Sequence, residues 1–310
     1  MKIVADIDIP FLAEAVKQYW PDVQIYPMKS EEIDHSAILD ADVLLVRTRT
    51  LVNENLLKGT RVKMVCTATI GFDHIDTVYC ENHGIQWISC PGCNAQAVCD
   101  YIEEALDEIG PRQTIGIVGV GHVGVLVAQM AKKRGYKVLL NDPPKGIGVP
   151  LSEIAEKCDI ITFHTPLDKS TYHLCNEAFL KRCKSEAVII NAARGGVVDE
   201  QALLASGLTY ILDTWEGEPR INHQVLQKAY LASMHIAGYS LQGKANATQM
   251  CLNAIARAFL LPNISLEYPS KSGEKDIKGD SEPGWLRRIS NQLKDHPEAF
   301  EQLRKEYPLR

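Results

Sequence analysis

The sequence predicts an α/β protein built on two parallel sheets, and three observations predict it. Short apolar runs recur along residues 1–90, each followed by a stretch at helical spacing, the alternation that builds parallel sheets. The same alternation starts afresh after a helix expected from Ala95 to Glu108. The second series opens with an apolar run that feeds a glycine turn, Thr114-Ile115-Gly116-Ile117-Val118-Gly119-Val120-Gly121-His122-Val123-Gly124. A chain of 310 residues is long enough for two domains with a small further element.

In the first series, strands are expected at Lys2–Ala5, Val23–Tyr26, Val43–Val46, Met64–Thr67 and Gln86–Ser89, with helices such as Pro10–Tyr19 and Asn53–Leu57 between them. This reads as a flavodoxin-like α/β domain. In the second, strands are expected at Thr114–Val118, Lys137–Leu140, Ile160–Phe163, Ala187–Ile190 and Tyr210–Leu212, with a short one near Met234. Helices fall at Val123–Arg134, Asn176–Arg182 and Glu200–Ser206, giving a six-stranded, Rossmann-type doubly wound sheet. A helix over Gly243–Leu260 is placed to return to the first domain. The tail turns polar, with a linker at Ser270–Pro283 and amphipathic helices at Trp285–Lys294 and around Pro297–Tyr307. The expected division is 1–94 with 239–262, 95–238, and 263–310, with hinges near Ala95 and Gly238.

Bulk properties exclude several function classes. The chain is 45% apolar and 23% charged, ordinary for a globular enzyme, and its net charge of −6 gives no general attraction to nucleic acid or membrane. No apolar run reaches the length of a membrane span, and the start, Met1-Lys2-Ile3-Val4-Ala5-Asp6, reads as a strand and not as a leader, so a cytoplasmic location is expected. Nine scattered cysteines suit a reducing compartment. Cys90-Pro91-Gly92-Cys93 is a Cys-x-x-Cys, but it has no second pair for zinc and is expected to be a loop that happens to carry two thiols. No metal site is expected.

Strand, Gly-x-Gly-x-x-Gly, helix, strand and acidic residue, in that order, is the dinucleotide-binding fingerprint. Gly119 makes the tight turn, Gly121 admits a pyrophosphate, and Gly124 lets helix and strand pack closely, while His122 and Val123 open the helix whose amides hold phosphate. Asp142, 18 residues after Gly124, is placed to accept from ribose hydroxyls and would repel a 2′-phosphate, which favours NAD over NADP.

Polar residues then gather where the later strands end, the ligand-binding edge of an open α/β sheet. His164-Thr165-Pro166-Leu167, Asn191-Ala192-Ala193-Arg194-Gly195-Gly196, Asp213-Thr214-Trp215-Glu216-Gly217-Glu218-Pro219 and His235-Ile236-Ala237-Gly238-Tyr239 follow successive strands. Arg194, Glu218 and His235 make a plausible catalytic set for oxidising a hydroxy acid. A histidine takes a hydroxyl proton near neutral pH, a carboxylate orients its ring, and a guanidinium clamps the substrate carboxylate in bidentate fashion. Each has a plainer reading: Arg194 in a structural ion pair, Glu218 in a solvated turn, His235 satisfied in the core.

These motifs resemble the D-isomer-specific 2-hydroxyacid dehydrogenases. Val46-Arg47-Thr48-Arg49-Thr50, Thr67–His74, Pro91–Ala95, Trp215–Pro219 and His235–Ser240 resemble more narrowly a member of that family acting on a phosphorylated hydroxy acid. The resemblance implies catalysis by Arg194, Glu218 and His235. It implies NAD contacts from Asp142, Thr165, Asp213 and Gly238, and substrate contacts from Thr48, Thr69 and Tyr239. It also implies a homodimer held by the C-terminal segment, although the two amphipathic tail helices could equally dock on their own chain. The substrate phosphate needs a cation, and Arg47 or Arg49, flanking Thr48 at a strand end, is the candidate; a surface charge pair is the alternative. His122 stands where relatives often carry Asn. Three joins are short for the family, at 106–113, 144–150 and 206–209, where residues of its pattern are expected to be missing. The competing readings are a dehydrogenase of another 2-hydroxy acid, such as 3-phosphoglycerate or glycerate, and an NAD-sensing binding protein.

Overall fold

The computed structural model describes residues 1–266 and 284–308. The chain divides into two compact units, Met1–Asn94 with Ser240–Glu274, and Ala95–Tyr239 with Lys275–Arg310. The linker expected at Ser270–Pro283 lies outside the described residues.

The first unit holds strands β1 (Lys2–Asp6), β2 (Gln24–Met28), β3 (Val43–Val46), β4 (Met64–Thr67) and β5 (Gln86–Ile88). All pair in parallel, in the order β2-β1-β3-β4-β5, which is the flavodoxin-like order. Val43-Leu44-Leu45-Val46 is apolar throughout because the strand is buried on both faces. Ile3, Leu45, Cys66 and the helix Leu241–Phe259 share one core; Val4, Leu44 and Val65 point into the other. Among the helices expected between these strands, His35–Ile38 and Thr77–Asn82, whose bounds the sequence did not mark, start at Asp34 and Asp76, whose carboxylates cap them.

The Cys-x-x-Cys is the expected loop carrying two thiols, and the structure adds that this loop is buried. Cys90 and Cys93 are buried in the core of the first unit, with Cys90 Sγ 3.5 Å from Cys251 Sγ. Burial pushes the Cys93 thiol up to about 12, so the thiolate that redox chemistry needs is suppressed and the sulfurs act as core atoms.

The second unit holds β6 (Thr114–Val118), β7 (Lys137–Asp142), β8 (Ile147–Gly148), β9 (Ile160–Phe163), β10 (Val188–Asn191), β11 (Thr209–Leu212) and β12 (Leu231–Ala232). The order is β12-β11-β10-β9-β6-β7-β8, so strand order reverses between β6 and β9, beside the glycine turn. The six expected strands form, the last at Leu231–Ala232 and not at Met234. A seventh, β8, was not expected and pairs antiparallel with β7.

That seventh strand explains the short join at 144–150. After β7 the chain makes a tight turn over Pro143–Lys145 and returns as a hairpin, with no crossover helix. A Cβ on Gly148, at φ +87°, would lie 1.8 Å from the Leu140 carbonyl oxygen, so only glycine fits the return. The join at 206–209 is likewise closed: Gly207, at φ +71°, ends the helix Glu200–Ser206 and β11 starts two residues later.

The described tail covers its apolar faces with its own unit. Trp285, Leu286, Leu293, Phe300 and Leu303, on helices Trp285–Asp295 and Phe300–Glu306, are buried in the second unit's core. Ser290 Oγ accepts the Ala232 N–H at 3.0 Å, so the tail shields the sheet edge at β12. Of the two readings of the tail, docking on its own chain holds for its described helices, which are part of the second unit.

Candidate active site

The glycine turn behaves as its spacing suggests. Gly119 sits at φ +89°, and a Cβ there would fall 2.7 Å from the His164 carbonyl. A Cβ on Gly124 would fall 2.0 Å from the Gly119 oxygen, so glycine is needed for the helix His122–Lys133 to start this close to β6. Gly121 is that helix's N-cap and faces open space, which leaves its backbone approachable. His122 is exposed and Val123 half-buried on the first turn. Asp142, at the end of β7, accepts the Val120 N–H at 2.8 Å, while Lys145 lies 3.8 Å from it and donates to the Val120 oxygen. Thr165 Oγ1 is buried beside the turn with no partner.

Three loops carry the expected trio; Glu218 and His235 meet directly, and the loop of Arg194 crosses that of Glu218. Arg194 follows β10, Glu218 follows β11, and a Cβ on Gly195 would fall 2.0 Å from the Trp215 carbonyl, so the two loops cross at backbone contact. Arg194 donates to its neighbour's carbonyl, Ala193 O, at 2.7 Å, and makes no ion pair among the described residues. The structural ion-pair reading of Arg194 thus has no support. Glu218 is no solvated turn: its Oε1 lies 2.5 Å from His235 Nδ1, and its Oε2 accepts the Trp215 N–H at 3.3 Å. Burial pushes the Glu218 carboxyl up, but the hydrogen bond and charge of His235 outweigh it, and the group titrates below the usual carboxylate range. With Nδ1 engaged on Glu218, Nε2 is the nitrogen left for proton transfer.

His235 adopts φ +58°, a left-handed backbone unusual for a non-glycine residue. Asp213 holds it there. Its carboxylate accepts from Ser233 Oγ (2.7 Å), Ile236 N (2.7 Å) and Ala237 N (3.0 Å), and its carbonyl accepts from His235 N (2.8 Å). Ser233 in turn meets Tyr101 Oη at 2.8 Å, and its carbonyl accepts from Trp215 Nε1 at 2.8 Å. The first task of Asp213 is thus to clamp the loop that carries His235, a task its place after β11 did not reveal. Gly238 and Tyr239 complete that loop.

Two further residues escaped sequence reasoning. Glu200, buried, accepts the Glu216 N–H at 2.6 Å and so ties down the Glu218 loop; burial raises its carboxyl to about 7. Its only signal was its position directly after Asn191–Asp199. Arg304, on the tail helix, lies with its guanidinium 5.8 Å from the Tyr239 ring centroid, and nothing in the tail's composition marked it.

In the first unit, strand ends carry the other expected residues. Thr48 is exposed in the turn after β3. Thr69 Oγ1 meets Thr67 Oγ1 at 2.6 Å and donates to Gly71 O at 2.8 Å, so its hydroxyl shapes its own loop. Arg47 and Arg49 both face Asp8, at 3.3 and 4.0 Å. The charge-pair reading thus has support, although one carboxylate serves two guanidiniums.

Comparison with known proteins accords with this geometry. Residues 106–237 match the model of the D-isomer specific 2-hydroxyacid dehydrogenase NAD binding domain. The chain is 44% identical over 338 residues to a Bacteroides fragilis erythronate-4-phosphate dehydrogenase, covering 100% of this chain and 97% of the relative. It is 38% identical over 354 residues to the enzyme of the same name from Pseudomonas syringae pv. tomato, covering 100% and 92%. The chain belongs to the erythronate-4-phosphate dehydrogenase family. This is the family member that the narrower set of sequence motifs resembles. Among solved structures, NAD⁺-bound 3-phosphoglycerate dehydrogenase from Entamoeba histolytica is similar at a TM-score of 0.70 and 25% identity, covering 84% of this chain and 95% of that one. An Aquifex aeolicus D-lactate dehydrogenase, complexed with NAD and lactic acid, shares the fold at a TM-score of 0.66.

The chain is accordingly an NAD-dependent 2-hydroxyacid dehydrogenase. Its residues fit the cofactor: an open backbone at Gly121, an acid at Asp142 and an orphaned hydroxyl at Thr165. Among the described residues no cluster of His, Cys, Asp or Glu has metal-ligand geometry, and no helix is long and apolar enough to cross a membrane.

Proposed function

We propose that this chain oxidises 4-phospho-D-erythronate to (R)-3-hydroxy-2-oxo-4-phosphobutanoate with NAD, as a step of pyridoxal 5′-phosphate biosynthesis. The observation that carries the chemistry is the 2.5 Å pair of His235 with Glu218, whose loop crosses the Arg194 loop. The substrate carboxylate sits on Arg194 through two parallel N–H donors. His235 Nε2 takes the C2 hydroxyl proton as the carbonyl forms, and Glu218 stabilises the imidazolium that results. When bound, NAD accepts the hydride from C2. Gly119, Gly121, His122, Val123 and Gly124 cradle the pyrophosphate, Asp142 takes the ribose hydroxyls, and Thr165, Asp213 and Gly238 line the nicotinamide end. Thr48, Thr69 and Tyr239 contact the substrate; Arg47 also reaches toward it, with Asp8 competing for its charge. The protein works as a cytoplasmic homodimer. The names of its relatives support the substrate, and the fold and trio support the reaction class.

The test is NADH formation from NAD with 4-phospho-D-erythronate, beside 3-phospho-D-glycerate, for wild type and His235→Ala. A 2-oxo acid in a parallel assay recycles any retained reduced cofactor. Turnover of the erythronate that collapses in the variant is expected. Turnover of 3-phosphoglycerate alone would discard the substrate assignment and keep the chemistry. Turnover that survives in His235→Ala would remove the proton-transfer role.

A further inference from the structure

We infer that Arg304, on the C-terminal helix Phe300–Glu306, binds the phosphoryl group of the substrate. The inference rests on the phosphorylated hydroxy acid proposed above. Such a substrate has an anion at each end, a carboxylate and a phosphate. The carboxylate is assigned to Arg194, so the phosphate needs a second cation. In the same unit as the trio, Arg304 is that cation.

Several observations converge on it. Phe300 and Leu303 are buried in the core, which anchors the helix and fixes where Arg304 emerges. The guanidinium stands over the Tyr239 ring at 5.8 Å, within cation–π range. Tyr307, one turn on, meets the same ring edge-on at 6.5 Å. Tyr239 belongs to the His235 loop, and its N–H donates to Ile236 O at 2.8 Å. The positive charge of Arg304 is felt at Glu218, whose carboxyl it helps to hold down. Arg304 therefore lies against the loop that carries the proton-transfer residue.

Its donors are not used up by the protein. Nε is buried and has no partner. The ion pair it makes is a loose one, 3.5 Å from Nη1 to Glu301, whose side chain is 46% exposed. The side chain keeps 28% of its surface exposed, so the outer Nη donors are available to an anionic oxygen. The competing cations, Arg47 and Arg49, already share Asp8.

The test compares wild type with Arg304→Ala, Arg304→Lys and Arg47→Ala. Steady-state kinetics use 4-phospho-D-erythronate, with inorganic phosphate as inhibitor. Arg304→Ala should raise KM and the phosphate inhibition constant together, roughly 10- to 100-fold, with kcat within a few-fold, and Arg304→Lys should recover part of the loss. A fall in kcat at unchanged KM would mean that Arg304 acts only through Glu218, and would overturn the proposal. So would a phosphate inhibition constant that moves in Arg47→Ala and not in Arg304→Ala. If Arg304→Ala melts early, Arg304→Met keeps the stem against Tyr239. The rise in Tm that inorganic phosphate gives wild type should then be absent in Arg304→Met; an equal rise in both refutes the phosphate role. That melting readout needs no turnover, so a wild type inactive on 4-phospho-D-erythronate would count against the proposed substrate and leave the Arg304 result readable.

Discussion

The His235 loop of the second unit and the Arg47–Thr50 turn of the first unit both follow strands, yet they are built differently. The His235 loop is held by four donors on Asp213 and further bonds through Ser233, Tyr101 and Trp215, most of them buried. The Arg47–Thr50 turn has exposed Thr48 and Arg49 and is held mainly by pairs to Asp8. A residue that must keep a strained backbone and one proton geometry is over-determined by its surroundings. A residue that meets a ligand by charge needs only to be near a strand end.

Four substitutions would sharpen or break that contrast, from the largest expected effect to the smallest. His235→Ala should lower kcat by roughly 10²- to 10⁴-fold, the usual worth of a general base, with Tm lowered less than in Asp213→Ala, because the loop keeps its bonds to Asp213 and only the Glu218 carboxylate loses its partner. A loss below tenfold would remove His235 from the chemistry. Asp213→Ala should do the reverse kind of damage. It strands buried N–H donors, and should cost about 3 kcal/mol of stability along with activity, read by denaturant unfolding. An unchanged midpoint would show the loop to be held by other means.

Glu200→Gln probes the buried carboxyl beneath the Glu218 loop. Its folded value of about 7 lies above the ordinary 4.5, so the folded protein binds the extra proton. Stability contributed by this group is therefore full below about 4.5 and is lost as pH rises toward 7, the reverse of a salt-bridged carboxylate. The variant should gain roughly 2 kcal/mol relative to wild type at pH 8 and much less at pH 5. Parallel stability curves for the two proteins would contradict the buried, neutral carboxyl. Arg47→Ala should be the mildest. An exposed pair contributes about 0–1 kcal/mol, so Tm should barely shift, and any effect should fall on KM. A large drop in Tm would make this turn as over-determined as the His235 loop.

Much of the fold was legible because strands buried on both faces must be continuous apolar runs, as at Val43–Val46 and Ile160–Phe163. The glycine turn was legible because Gly119 and Gly124 answer to steric contacts that no other residue relieves. The bounds of the short helices capped by Asp34 and Asp76 were not legible, since one to two turns are too few to show a period. The hairpin at β8 was missed because its signal, a Pro-Pro turn with glycines, reads equally as a loop. The Cys-x-x-Cys loop was legible, but its burial was not, because spacing says nothing of burial.

By itself the sequence determined the two α/β units, the cofactor turn and which residue types end each strand. These follow from local periodicity and from backbone sterics, which act over a few residues. Only the tertiary structure decided that Asp213 clamps the His235 loop, that Glu200 is buried under Glu216, and that Arg304 reaches Tyr239. Those contacts join residues 16 to more than 60 positions apart, and a hydrogen bond or a desolvated charge depends on what the fold packs beside it, which no pattern along the chain records.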